Sequence, residues 1–193
     1  MASAAADNKS RIEELRRAVA DTPDSAPAHM KLGTALLHAG AAKKAEECLR
    51  RAVELDPTFD EAWVNLGGIL LGRWDFAGCV EVNRRVAEHS PDLVQAHYNQ
   101  GLGHLYLHQA EEMVACFRHV LAIDPDHAGG HYHLAVGLLE LGEVANARAS
   151  LDRAVGLGHS PAPEFLKELE RKSGGTRPGT DDKRQSDGHT SEK

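Results

Sequence analysis

From residue 9 onward the chain runs in short apolar stripes at helical spacing, broken by polar turns. Ile12, Leu15 and Val19 recur on one side of the first stripe. Beyond it, small and apolar residues return to the same places every 34 residues. In units starting at Ala26, Asp60, Val94 and Ala128, the seventh position holds Leu32, Leu66, Gln100 and Leu134, and the eighth holds Gly33, Gly67, Gly101 and Ala135. Further along come Ala45, Cys79, Met113 and Ala147, then Leu49, Asn83, Phe117 and Leu151, then Ala52, Val86, Val120 and Ala154. Small residues let two antiparallel helices approach closely, and larger ones fill the spaces between them. The pattern predicts helix pairs near 26–39 and 42–55, 60–72 and 75–88, 94–107 and 110–123, and 128–141 and 144–157.

Four prolines, Pro23, Pro57, Pro91 and Pro125, stand 34 residues apart and separate the units, because proline cannot continue a helix. Gly40, Gly72 and Gly142 are expected at the hairpin turns, where a left-handed residue ends a helix. A lone hairpin of this size cannot bury its apolar face, so such units stack. Residues 9–25 read as a half-repeat cap, with Leu15 and Ala18 in the places of Leu49 and Ala52. The full repeats are 26–59, 60–93, 94–127 and 128–160. At the far end His159 stands where a fifth proline is due, and residues 161–172 read as a capping helix with Phe165, Leu166 and Leu169 facing inward. Residues 1–8 and 173–193 lack large apolar side chains apart from Met1 and are expected to be disordered.

Segments such as Ala62-Trp63-Val64-Asn65-Leu66-Gly67 and Ala96-His97-Tyr98-Asn99-Gln100-Gly101, with Leu55-Asp56-Pro57 and Ile123-Asp124-Pro125 closing two units, resemble the tetratricopeptide repeat. The resemblance covers about residues 9 to 172. It implies an all-α, right-handed α-solenoid of antiparallel helix pairs whose first helices line a concave groove. Departures are local: Cys79 and Met113 replace a usual alanine, Asn83 an aromatic or leucine, and Gln100 a leucine. They point to looser second and third units.

Bulk composition narrows the function. The 193 residues carry a net charge of -7, which argues against a nucleic-acid binder, and the arginine pairs Arg16-Arg17, Arg50-Arg51 and Arg84-Arg85 fall on second helices facing solvent. The longest apolar runs are far short of a membrane span of about 20 residues, and the N-terminus has no apolar core for export. Three isolated cysteines, Cys48, Cys79 and Cys116, read as reduced thiols in a cytoplasmic protein. No phosphate-binding glycine loop, nucleophile elbow or paired-cysteine spacing is present, so no enzyme activity and no cofactor are expected.

The expected function is a non-catalytic protein-protein interaction module, an adaptor, scaffold or assembly factor that takes a peptide or amphipathic helix of a partner. Carried over from the resemblance, the groove wall includes Tyr98 and Tyr132 at fifth positions, Lys31, Asn65, Asn99 and His133 at sixth positions, Leu102 at a ninth and Tyr106 at a thirteenth. Asparagine amides there are suited to hold a peptide backbone, and tyrosines offer area with a polar tip. The lysine-rich clamp with which chaperone-type members hold a C-terminal carboxylate lacks its cations here, since Met30, Val64, Gln95 and Gly129 stand in such places. Two other readings stay open. One is metal handling by the histidine-rich third repeat, where His104 and His108 are spaced to share a helix face. The other is a structural module that stacks end to end.

Overall fold

The computed structural model describes residues 2–174, with side chains from residue 7 onward. Ten helices and no strand occur among the described residues. They are α1 (Ala2–Asp21), α2 (Ala26–His38), α3 (Ala42–Leu55), α4 (Asp60–Gly72), α5 (Phe76–His89), α6 (Val94–Tyr106), α7 (Ala110–Ile123), α8 (Ala128–Glu140), α9 (Val144–Gly156) and α10 (Pro163–Gly174). Each helix packs on its sequence neighbours, and α4 also touches α6, so the hairpins stack into an α-solenoid. The helix α1 begins at Ala2, not at residue 9, which corrects the expected disordered start. Ala2, Ala4, Ala5 and Ala6 are strong helix formers and extend the cap helix toward the N-terminus. The expected disordered tail lies, beyond Gly174, outside the described residues.

The large-on-small register of the sequence is realised within each hairpin. A Cβ added at Gly33 would stand 2.8 Å from Leu49, and one at Gly101 would stand 2.8 Å from Phe117. The second unit places Asn83 in the same slot, fully buried, where its Nδ2 donates to the Cys79 carbonyl at 2.8 Å. Its Oδ1 is buried without a hydrogen-bond partner. Apolar burial falls into clusters: one joins α1 to the first two units, another joins the last two units to α10, and a small one of Val64, Val86 and Ala96 lies between the second and third units. Met113 and Cys79 are both wholly buried, filling the space that alanine leaves elsewhere.

Entry to each unit is fixed by a recurring latch. The ring nitrogen of the fourth residue of each unit reaches back six residues to the carbonyl of the inter-repeat proline. The pairs are His29 Nε2 to Pro23 O at 2.9 Å, Trp63 Nε1 to Pro57 O at 2.9 Å, His97 Nε2 to Pro91 O at 2.8 Å and His131 Nε2 to Pro125 O at 2.9 Å. Indole nitrogen only donates, so the three histidines take the same role by carrying their proton on Nε2.

The turn inside each hairpin uses one left-handed residue, two positions past the first helix. These are Gly40 at φ 75°, Trp74 at 66°, His108 at 56° and Gly142 at 80°. Gly72, expected at the second turn, instead ends α4, and Trp74 takes the strained position. At the far end Phe165 and the fully buried Leu169 dock α10, while Lys172 Nζ donates to the Leu139 carbonyl at 2.8 Å. Leu166, expected to face inward, is 37% exposed, because the docking stripe runs through Phe165 and Leu169, four residues apart. The doublets Arg16-Arg17, Arg50-Arg51 and Arg84-Arg85 are exposed, as expected.

Candidate partner-binding wall

In the second and third units the sixth residues, Asn65 and Asn99, join each first helix to the one before it. Asn65 Nδ2 on α4 donates to Thr34 Oγ1 on α2 at 3.2 Å. Asn99 on α6 is buried, with Nδ2 donating to the Val64 carbonyl at 3.3 Å and Oδ1 accepting from Gln95 Nε2 at 2.9 Å. Asn99 is thus occupied inside the protein, whereas half-buried Asn65 borders an open cleft. The sequence offered no sign of this difference, since both residues sit in the same place of their units.

Clefts lie along the first helices among the described residues. At the α1 end, Asn8 and Arg11 meet Lys31, His38 and Glu61 around a cleft of about 320 Å³. Arg11 belongs to the cap helix and so escaped the repeat register; with Lys31 and His38 it brings basic groups to this cleft beside Glu61. Between the N-terminal ends of α4 and α6, Asn65, Val64, Glu61 and Gln95 border a cleft of about 420 Å³. At their C-terminal ends, Leu71, Leu102, Tyr106, Trp74 and Phe76 surround a cleft of about 380 Å³.

Tyr98, Tyr132 and His133 form a packed cluster of rings. His133 stacks on Phe117 at 5.2 Å and meets Tyr98 and Tyr132 edge-on at 5.8 and 5.2 Å. Tyr132 stacks on His159 at 4.3 Å and meets Phe165 of α10 at 5.5 Å. Tyr98 also faces His127 at 4.9 Å. The last two units and the cap are therefore joined through rings. Burial, together with repulsion from His159 and His127, pushes the His133 imidazole down to about 4, and its Nδ1 is buried without a partner. Burial raises the Tyr98 hydroxyl above its ordinary value.

His104 and His108 do not share a helix face, which corrects the spacing argument for a metal pair. The helix α6 ends at Tyr106, and His108 sits at φ 56° in the turn. Buried His104 turns to Gln109 Oε1 at 2.7 Å. Among the described residues no three His, Cys, Asp or Glu side chains are grouped to hold an ion. Cys79 and Cys116 are buried free thiols, both pushed up to about 11 by burial, so they are not nucleophiles near neutral pH. No helix among the described residues is long and apolar enough to cross a membrane.

Two family models, each described as tetratricopeptide repeat, match residues 4–70 and 98–161, together more than half of the chain. No curated protein matches it. Among solved structures it is similar to MamA, with 18% identity and a TM-score of 0.73 over 89% of this chain and 94% of that chain. It is similar to PilF of Pseudomonas aeruginosa, with 20% identity and a TM-score of 0.77 over 88% of this chain and 77% of that one. It is also similar to YrrB, a TPR protein with an unusual peptide-binding site, at 18% identity and a TM-score of 0.70 over 89% and 86% of the two chains. At these identities the likeness is one of fold. Repeat frame, helix pairing and family match agree: the chain belongs to the tetratricopeptide repeat family.

Proposed function

We propose that this protein is a non-catalytic adaptor, scaffold or assembly factor that holds a segment of a partner protein along the wall formed by its first helices. The open stretch between α4 and α6 carries the reading. There, one cleft bordered by Asp60, Glu61, Asn65 and Gln95 and one bordered by Leu102 and Tyr106, without a charged residue, lie at opposite ends of the same helix pair. At 1.5 Å per residue the two are about 10 Å apart along α4, a span bridged by three residues of an extended peptide or two turns of a helix. Half-buried Asn65 and the exposed Lys31 and Tyr106 stand at the surface of this wall. Tyr98, Tyr132 and His133 support its second half from within. Three free thiols fit a cytoplasmic setting, where they stay reduced.

The test is capture from native extract with wild type, Asn65→Ala and Leu102→Asp, followed by quantitative mass spectrometry. Proteins held in the groove are lost from the Leu102→Asp capture and reduced with Asn65→Ala, while both variants keep wild-type circular dichroism. An unchanged captured set with intact folding overturns the reading.

A further inference from the structure

Trp74 is the most exposed large apolar side chain among the described residues, at 77%, and it stands on left-handed backbone that two of the four equivalent turns give to glycine. Neither local folding nor packing explains a tryptophan there. Left-handed backbone is costly for any residue with a Cβ, and exposed indole gains nothing from burial. Strain and exposure at one residue are a pattern of functional sites.

The surroundings of Trp74 are equally specific. It meets Phe76 edge-on at 5.9 Å, and Phe76 stacks on half-exposed Tyr106 at 4.6 Å, making an aromatic wall from the α4–α5 turn to the end of α6. Opposite the wall, Gly68 and Gly72 lie one helical turn apart on α4, and a Cβ at either would meet nothing within 4 Å. The floor is open because both side chains are missing. The cleft of about 380 Å³ contains no charged lining residue, and its size is near the lower end of the roughly 300–1,000 Å³ of ligand pockets.

We infer that this cleft is a socket for one bulky apolar side chain, leucine or phenylalanine, of the bound partner segment; the inference rests on the reading of the first-helix wall as a partner-binding surface. An uncharged floor and aromatic walls pair with an uncharged apolar group, since a charge placed there loses its water without gaining a counter-ion. Residues 175–193 contain no apolar residue other than Pro178, so that segment cannot fill the socket. A second copy is the wrong size. Trp74 and Tyr106 together expose roughly 300 Å², well short of the roughly 800 Å² per partner of a stable interface.

The chain holds only two tryptophans, which makes an internal control available. The full chain, labelled with ¹⁵N, is titrated with N-acetyl-phenylalaninamide and N-acetyl-leucinamide, and with N-acetyl-serinamide and N-acetyl-glutamate amide as controls. The apolar amides shift the Trp74 indole signal saturably, the polar ones do not, and Trp63, latched to Pro57, stays in place. Gly68→Leu fills the socket from its floor and weakens the apolar probes roughly tenfold or more. The same variant raises helix propensity, so its melting temperature stays at or above that of wild type. An unmoved Trp74 signal, or equal binding by Gly68→Leu, overturns the inference. So does a concentration-dependent Trp74 shift without probe together with a dimer mass by light scattering. Asn65→Ala leaves probe binding intact while lowering partner capture, so failure of the socket and failure of the groove reading give different results.

Discussion

Acidification is expected to loosen the last two repeats through a single side chain, His133. In the folded chain its imidazole titrates at about 4, against 6.5 as a free side chain, because burial among Tyr98, Phe117 and Tyr132 opposes the charged form and His159 and His127 add repulsion. The folded value is depressed, so the unfolded chain binds the proton first. Stability is therefore fully present above the unfolded value and is lost as pH falls from 6.5 through about 4. By linkage the loss from this group is about 2 kcal/mol between pH 7 and pH 5, and about 3 kcal/mol by pH 4. Urea unfolding followed by circular dichroism at pH 7 and pH 5 measures it, with His133→Phe as the control that keeps a ring in the cluster and removes the titrating group. Wild type is expected to drop about 1 M further in midpoint than the variant. The eleven other histidines and all carboxylates are common to both proteins, so the difference isolates His133. Equal midpoint shifts in the two proteins would refute the reasoning.

Asn83→Leu is expected to stabilise the fold by about 1–3 kcal/mol, since it removes a buried unpartnered oxygen and restores the leucine-on-glycine packing seen at Leu49 and Gly33; a lowered melting temperature would contradict this. Trp74→Gly relieves the left-handed strain and should raise stability by about 1 kcal/mol while weakening the apolar probes, read from the Tyr106 backbone amide in both proteins, so stability and binding move in opposite directions. His131→Phe loses the hydrogen bond to Pro125 and costs about 1 kcal/mol, whereas His131→Trp retains it, as Trp63 does, which thermal melts of the two variants will separate. Titration with a thiol reagent at pH 8 should show Cys48 reacting ahead of Cys79 and Cys116, of which roughly one thiol in a thousand is ionised; three equal rates would mean that the helices open readily.

The repeat frame and its helix pairs were legible without coordinates, because a 34-residue period repeats the same packing problem and Leu49, Phe117 and Leu151 answer it with the same chemistry. His29, His97 and His131 stand in the repeat where Trp63 does, but their bond to the proline carbonyl was not legible, since it depends on the path of the chain between units. Trp74 carried a signal that alignment alone exposes: it occupies the slot of Gly40 and Gly142. Arg11 and His127 carried none, and His159 was marked only as the residue standing where a fifth proline is due. They lie on the cap helix and in the loops flanking α8 and α9, outside the positions expected to line the wall.

Sequence by itself determined the helix pairs from α2 to α9, which the structure places within a residue or two of the expected bounds, and the small-against-large contacts inside each hairpin, all of which are local and repeated. Tertiary structure decided which identical positions do different work. Asn65 borders an open cleft, whereas Asn99 is turned inward by Gln95 and the Val64 carbonyl. Tyr106 stands open beside Trp74, whereas Tyr98 and Tyr132 are packed among rings. The physical reason is that a solenoid surface is made between neighbouring units. The environment of each wall residue is set by side chains about 34 positions away, and those side chains differ from unit to unit.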